Sequence, residues 1–131
     1  MQKMLRRMRK SRKGFTLIEL IIVIAILGIL AAILVPTMLG IVDDAQKSVD
    51  KANARSVYSV AQALVVQKQV SGATGEIADA GDTTPKSGFI DEVKQNMGAD
   101  IDMSDYTITL DTVGGKFTVK EVKHKNGVTY P

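Results

Sequence analysis

Two features near the N-terminus could take part in chemistry: a glycine at a charge boundary, and an isolated acid. Gly14 stands between a basic stretch that ends at Lys13 and an apolar stretch that begins at Phe15. Because glycine has no side chain, a protease can approach the Gly14–Phe15 peptide bond closely. Glu19 is the only charged residue between Phe15 and Val42, and a carboxylate at membrane depth is costly unless a cation pairs with it.

The other reactive side chains form no recognisable catalytic pattern. The sequence has no cysteine, which excludes thiolate metal sites, disulfides and a cysteine nucleophile. His124, the single histidine, lies among lysines in a predicted turn, so we expect a solvated surface side chain rather than a catalytic residue or ligand. Asp100, Asp102 and Asp105 lack the glycine and glutamate of an EF-hand, so a solvated acidic edge is favoured over a calcium site. We therefore predict no enzyme, no metal and no cofactor.

The positive charge is concentrated at the N-terminus. The whole chain has a formal net charge of +3, but seven of its seventeen basic residues precede Gly14. The remainder has ten basic and fourteen acidic residues, a net charge of −4. A basic tract followed directly by an apolar segment is typical of the cytoplasmic flank of a membrane helix. We predict no direct binding of nucleic acid.

The apolar segment is long enough to span a membrane. Residues 20–42 contain no charged side chain, and as a helix they would extend about 34 Å, against about 30 Å for a hydrocarbon core. So short a chain could not cover this helix on all sides as a buried core helix. A conventional signal peptide would be cut after the apolar segment, where no clear site stands out. We predict a single-pass membrane helix with a cytoplasmic N-terminus.

The remaining sequence predicts a small sheet beside an amphipathic helix. The helix is expected to continue to about Val70, with a loop over residues 71–87 and a short helix over residues 88–97. Alternating residues predict strands at 106–110, 117–122 and 128–130, with turns at Gly114-Gly115 and Asn126-Gly127. The predicted fold is α+β, a long N-terminal helix packed on a small antiparallel sheet. The apolar stripe of the helix is assigned to Val49, Ala52, Val57, Val60, Leu64 and Val65, with Asp43, Asp44, Lys47, Asp50, Lys51 and Arg55 facing elsewhere.

Arg12-Lys13 followed by Gly14-Phe15-Thr16-Leu17-Ile18-Glu19 and the apolar run closely resembles the leader and N-terminal helix of type IV prepilins and pseudopilins. The resemblance is strongest over residues 10–70. It implies that a prepilin peptidase cuts between Gly14 and Phe15 and N-methylates Phe15. It also implies that Glu19, with Thr16 beside it, serves assembly, the glutamate pairing with the terminal amine of an adjacent subunit. The open alternative is that Glu19 is a mere boundary residue at the membrane interface.

Gly28 and Pro36 are expected to kink the helix, since proline removes a backbone hydrogen bond. The resemblance implies that the helix around Gly28 and Pro36 can lose helical structure in an assembled filament. The alternative is an ordinary kink in an intact helix.

The sequence thus divides into a leader (1–14), the apolar half of the helix (15–42) and an extracytoplasmic globular domain (43–131). The favoured function is the precursor of a type IV pilus subunit, for adhesion, motility or DNA uptake. A pseudopilin of a type II secretion system and a plain membrane anchor with a binding module are the alternatives. Expected partners are the prepilin peptidase, other copies of the chain, the pilus assembly machinery and the membrane. The precursor is placed in the cytoplasmic membrane and the assembled subunit in an extracellular filament.

Overall fold

A computed structural model describes residues 14–98 and 101–131 of the chain. It confirms the predicted α+β class, and the described residues fall into two compact units that divide between Ile41 and Val42. The elements in chain order are α1 (Leu17–Ser71), a 3₁₀ helix (Thr74–Glu76), α2 (Ser87–Met97), a second 3₁₀ helix (Met103–Asp105), β1 (Tyr106–Val113), β2 (Lys116–His124) and β3 (Thr129–Tyr130).

The N-terminal part of α1 is the predicted apolar helix. It begins at Leu17, two residues later than the predicted boundary at Phe15, and all its residues up to Ile41 are exposed. It is long and apolar enough to cross a membrane. The helix continues through both Gly28 and Pro36, so the kink at these residues stays a prediction. One residue after Pro36, the Thr37 hydroxyl donates to the Ile33 carbonyl oxygen at 3.0 Å.

The three strands form the predicted antiparallel meander in the order β1-β2-β3. Gly114 and Gly115 connect the first two strands, with φ angles of 60° and 77°. Positive φ at both central residues is the signature of the type I′ turn, whose twist matches that of the flanking strands. β3 is short and pairs only with Val122 and Lys123 of β2.

β2 contains a bulge that the sequence analysis missed. Thr109 of β1 pairs with Glu121, but the next residue, Leu110, pairs with Val119, which leaves Lys120 as an extra residue. A bulge reverses the alternation of the strand beyond it, because successive side chains point to opposite faces. The buried residues of β2 are accordingly Phe117, Val119, Val122 and His124.

The C-terminal part of α1 packs on the sheet along a narrower stripe than predicted. Val57, Leu64 and Val65 are buried as expected, but the predicted stripe residues Val49 and Ala52 are exposed. The stripe actually begins at a charged residue. Its buried members are Asp50, Ala54, Val57, Ala61, Leu64, Val65 and Lys68, most of them spaced alternately by four and three residues.

The segment between α1 and the sheet completes the core. α2 matches the prediction closely and buries Phe89 and Val93. The segment predicted as a loop contains a 3₁₀ helix and places Ile77 in the core. It also contacts the sheet, because the backbone N–H of Leu110 donates to the Thr83 carbonyl oxygen at 2.7 Å.

Candidate functional site

The N-terminus of α1 is capped by the two residues assigned to assembly. The Glu19 carboxylate accepts hydrogen bonds from the Thr16 backbone N–H at 2.8 Å and the Thr16 hydroxyl at 2.9 Å. In return, the Thr16 hydroxyl accepts from the Glu19 backbone N–H at 3.3 Å. This is a capping box, in which a threonine and a glutamate three residues later satisfy each other's free N–H groups. The structure therefore brings Thr16 and Glu19 together.

Gly14 and Phe15 lie before the helix, outside regular secondary structure. Phe15 is 89% exposed, and a Cβ atom added to Gly14 would meet no atom within 4 Å. Nothing in the described chain therefore requires glycine at position 14. A requirement for glycine would have to come from a protease that binds this segment.

Because α1 begins at Leu17, Phe15 does not lie on a helical turn with Glu19, as pairing four residues apart along one helix would require. The uncleaved chain has no amine at Phe15, and Glu19 takes its hydrogen bonds from Thr16 instead. The Glu19 carboxylate is exposed, so its remaining acceptor capacity is open to a further donor.

A second polar cluster contains His124, whose predicted surface position is wrong. The side chain is buried at the end of β2, where its Nδ1 atom lies 3.7 Å from Asp50 and its Nε2 atom 3.9 Å from Asp105. Asp50, predicted to face away from the core, is also buried and accepts a hydrogen bond from the Asn126 side chain. The ring of Tyr106 packs against the imidazole, with the two ring centroids 4.8 Å apart. These contacts attach the β2–β3 turn to α1.

The sequence did contain the signal for this burial. Val119 and Val122 are three residues apart, a spacing that regular alternation cannot place on one face of a strand. A bulge between them lets both point inward, and His124 then follows Val122 onto the same face. The single histidine was therefore identifiable as an inward residue, although its two carboxylate neighbours come from distant parts of the chain.

The acidic residues considered for calcium have other contacts where they are described. Asp102 caps the second 3₁₀ helix by accepting from the Ser104 N–H, an interaction that lowers the pKa of its carboxyl. Asp105 accepts from Lys125 at 2.7 Å. Asp100 lies outside the described residues. Within residues 14–98 and 101–131, no group of three or more candidate ligands could hold a metal ion.

A third polar contact lies at the other end of the buried stripe. The Lys68 ammonium group bonds Glu76 at 2.6 Å and Glu92 at 2.9 Å. The bonds to these carboxylates raise the pKa of Lys68, and the same bond to Lys68 lowers the pKa of Glu76. The arrangement joins α1 to the first 3₁₀ helix and to α2.

Comparison with known proteins gives matches that include the first of these three sites. Residues 9–35, which include Gly14, Phe15, Thr16 and Glu19, match the family model described as the prokaryotic N-terminal methylation motif. We call residues 9–35 the prepilin segment, because this motif is similar to the N-terminus of prepilins. The described residues of this segment, 14–35, include the first part of the exposed apolar helix, with Thr16 and Glu19 joined in a cap.

Curated relatives match mainly this prepilin segment and the helix that follows. Type IV major pilin protein PilA of Myxococcus xanthus is 39% identical over 62 residues, covering 47% of this chain and 28% of the relative. Type II secretion system core protein G of Pseudomonas aeruginosa is 43% identical over 49 residues, covering 37% and 34%. Prepilin peptidase-dependent protein A of Clostridium perfringens is 32% identical over 69 residues, covering 53% and 49%. The chain spans no more than half the length of these three relatives, and no solved structure matches it.

Proposed function

We propose that the chain is the precursor of a structural subunit of a type IV pilus, cleaved between Gly14 and Phe15 by a prepilin peptidase and N-methylated on Phe15. The observation that carries the proposal is the methylation motif over residues 9–35, which contains Gly14, Phe15 and Glu19 and extends into the exposed apolar helix that begins at Leu17. The precursor would sit in the cytoplasmic membrane, and the assembly machinery would pack the cleaved helix against other copies. Structural subunits need no catalytic centre, and none is part of this proposal.

The pseudopilin alternative rests on the same segment. The match to a type II secretion core protein and the match to a major pilin both cover the N-terminal part of this chain, so neither favours one assembly over the other. Surface filaments sheared from cells expressing the protein would support the pilus. A protein that is cleaved and membrane-bound but forms no surface filament would contradict it.

The cleavage site is tested by mass spectrometry of the protein from such filaments. We expect a mature chain that begins at a methylated Phe15. A bulky substitution, Gly14→Leu, should accumulate as uncleaved precursor because it blocks close approach of the protease. A mature N-terminus within residues 31–37 would instead indicate a conventional signal peptide and refute the proposal.

A further inference from the structure

The turn between β2 and β3 places an asparagine directly before a glycine. Asn126 and Gly127 are both exposed. The φ angle of Gly127 is 91°, a conformation that residues with a side chain rarely adopt, so the turn favours glycine here. A Cβ atom added to Gly127 would meet no atom within 4 Å. The backbone nitrogen that follows the Asn126 amide is therefore not shielded by a side chain of its own residue or by the surrounding chain.

The two polar atoms of the Asn126 side chain are both held by hydrogen bonds. The Oδ1 atom accepts from the Val128 backbone N–H at 3.1 Å, which directs the side chain towards the residues that follow it. The Nδ2 atom donates to the buried carboxylate of Asp50. A donor on a carbonyl oxygen stabilises the negative charge that develops there during nucleophilic attack. The Val128 N–H therefore activates the amide carbon of Asn126, Cγ, towards a nearby nucleophile.

We propose that Asn126 is a site of spontaneous deamidation in the folded protein. The Gly127 nitrogen forms a bond to Cγ of Asn126 and loses its proton to water. The bond between Cγ and Nδ2 breaks, and the leaving nitrogen takes up a proton from water and departs as ammonia. The product is a cyclic imide, which a second water molecule opens to aspartate or isoaspartate. This modification goes beyond the proposed function and does not depend on it.

One backbone hydrogen bond must break before the ring can form. The Gly127 N–H donates to the His124 carbonyl oxygen at 2.9 Å, and the proton of this bond is the one that the reaction removes. Local opening of exposed turns costs little free energy, whereas the opening of a packed helix costs much more. The position of Asn126 in an exposed turn therefore permits the reaction without global unfolding.

The other asparagines of the chain lie in helices. Asn53 belongs to α1 and Asn96 to α2, and the sequence contains no further asparagine. The residues that follow them are Ala54 and Met97, whose side chains crowd the backbone nitrogen that would attack. Deamidation of the folded protein is therefore confined to Asn126.

Either product of the reaction changes the contact between the turn and α1. An aspartate at position 126 has no N–H group to donate to Asp50, and its negative charge faces a second carboxylate at close range, where like charges repel. Isoaspartate additionally inserts a methylene group into the backbone just before β3, whose Tyr130 ring contacts Tyr58 of α1. Deamidation therefore releases the β2–β3 turn from α1.

Peptide mapping by mass spectrometry of the full-length protein, incubated in neutral buffer, tests the site. The Asn126 peptide should exchange an amide NH₂ for OH about tenfold faster than the Asn53 and Asn96 peptides, because helices open less often than exposed turns. Asn126→Gln is the matched control, since its amide would have to form a larger ring and should stay intact. Equal rates at all three asparagines, or reaction only in denaturant, would overturn the proposal.

An exchange of side chains tests the consequence. Asn126→Asp has the composition of one product, and it should lower the thermal midpoint of the full-length protein by about 5 °C. Adding Asp50→Asn should restore the midpoint, because the pair again consists of one carboxylate and one amide. A wild-type midpoint in Asn126→Asp, or no recovery in the double variant, would refute the release of the turn. Neither experiment uses filaments, so their outcomes are independent of the proposed pilus function.

Discussion

Under the proposed function, Glu19 would serve two partners in succession. Before cleavage it caps α1 through Thr16, so its charge is satisfied within the chain. After cleavage, the nearest positive charge in the sequence is the new amine of Phe15, since the next basic residue is Lys47, 28 residues on. Removing a carboxylate from water costs about as much free energy as its pairing with a cation returns. Such a pair therefore adds little net stability, and its main effect is to fix the register of the two partners.

We predict that Glu19→Gln leaves membrane insertion and cleavage largely intact but reduces filament number sharply. Glutamine can still accept in a capping box, so this substitution removes the charge and keeps the cap. Processed protein in membranes and filaments on the surface are the two quantities to measure.

Thr16 supplies the matched control for the cap. Thr16→Ala removes the capping side chain, at a cost of about 1 kcal/mol, and keeps the Glu19 charge. We expect it to assemble far better than Glu19→Gln. If the two variants assembled equally badly, the cap rather than the charge would be what assembly requires. Loss of cleavage in Glu19→Gln would instead assign Glu19 to recognition by the peptidase.

The burial of Asp50 and His124 in one polar cluster was not predicted from the sequence. Asp50 is buried on α1 because Asn126 and His124 reach it from the far end of the chain. A prediction from helical periodicity assigns aspartate to the solvent-facing side of a helix. The partners of Asp50 are more than 70 residues away, so the sequence around Asp50 does not indicate its burial. His124 was recoverable from the Val119–Val122 spacing, but its neighbours were not.

At the scale of elements, the sheet-facing stripe of α1 is closed by a charged residue at each end. Asp50 contacts the β2–β3 turn, and Lys68 contacts the 3₁₀ helix and α2. The apolar residues between them form the core with the sheet. The polar ends fix the position of the helix along the sheet, since apolar contact alone is non-directional.

We predict that the Lys68 contacts make stability depend on pH at both extremes. The pKa of Glu76 is lowered from its ordinary value of 4.5, so its contribution is present above pH 4.5 and is lost as the pH falls below that value. The pKa of Lys68 is raised from 10.5, so its contribution is complete below pH 10.5 and is lost as the pH rises above it. Thermal midpoints measured across pH should therefore fall in both ranges.

Lys68→Gln is the variant that tests this assignment. In this variant, the fall of the thermal midpoint at alkaline pH should be flattened. The fall at acid pH should be weaker, because Glu76 no longer has a cation that lowers its pKa. Lys86→Gln is the control, since Lys86 pairs with an exposed aspartate, Asp79, whose interaction is screened by solvent. An unchanged pH profile in Lys68→Gln would show that the pH dependence arises elsewhere.

At the scale of the whole molecule, we predict that residues 42–131 fold without the apolar helix that precedes them. This segment forms a compact unit with its own core of helix and sheet residues. The expected result is a soluble fragment with a single cooperative melting transition by circular dichroism. A fragment without such a transition would show that the sheet depends on the preceding helix or on neighbouring copies.

The architecture was predictable because it depends on strong local patterns. The apolar run, the two glycine turns and the alternating strands were sufficient for the α+β class and for most element boundaries, and α1 ends one residue beyond the predicted Val70. The capping box at Thr16 and Glu19 was not foreseen, although the sequence spacing for it was present. The bulge at Lys120 was indicated only by the Val119–Val122 spacing, whereas the packing of Ile77 depends on tertiary contacts that no single window of sequence contains.

The short third strand leaves one edge of β2 without a neighbouring strand over residues 116–121. Two glutamines of α1 occupy this edge: the Val119 N–H donates to Gln62 at 2.8 Å, and Gln69 donates to the Phe117 carbonyl oxygen at 2.8 Å. An unpaired strand edge is a template for aggregation into amyloid-like sheets, and native proteins commonly block it. For the proposed filament subunit, which would accumulate at high local density before it polymerises, the two glutamines would prevent copies from joining through this strand edge.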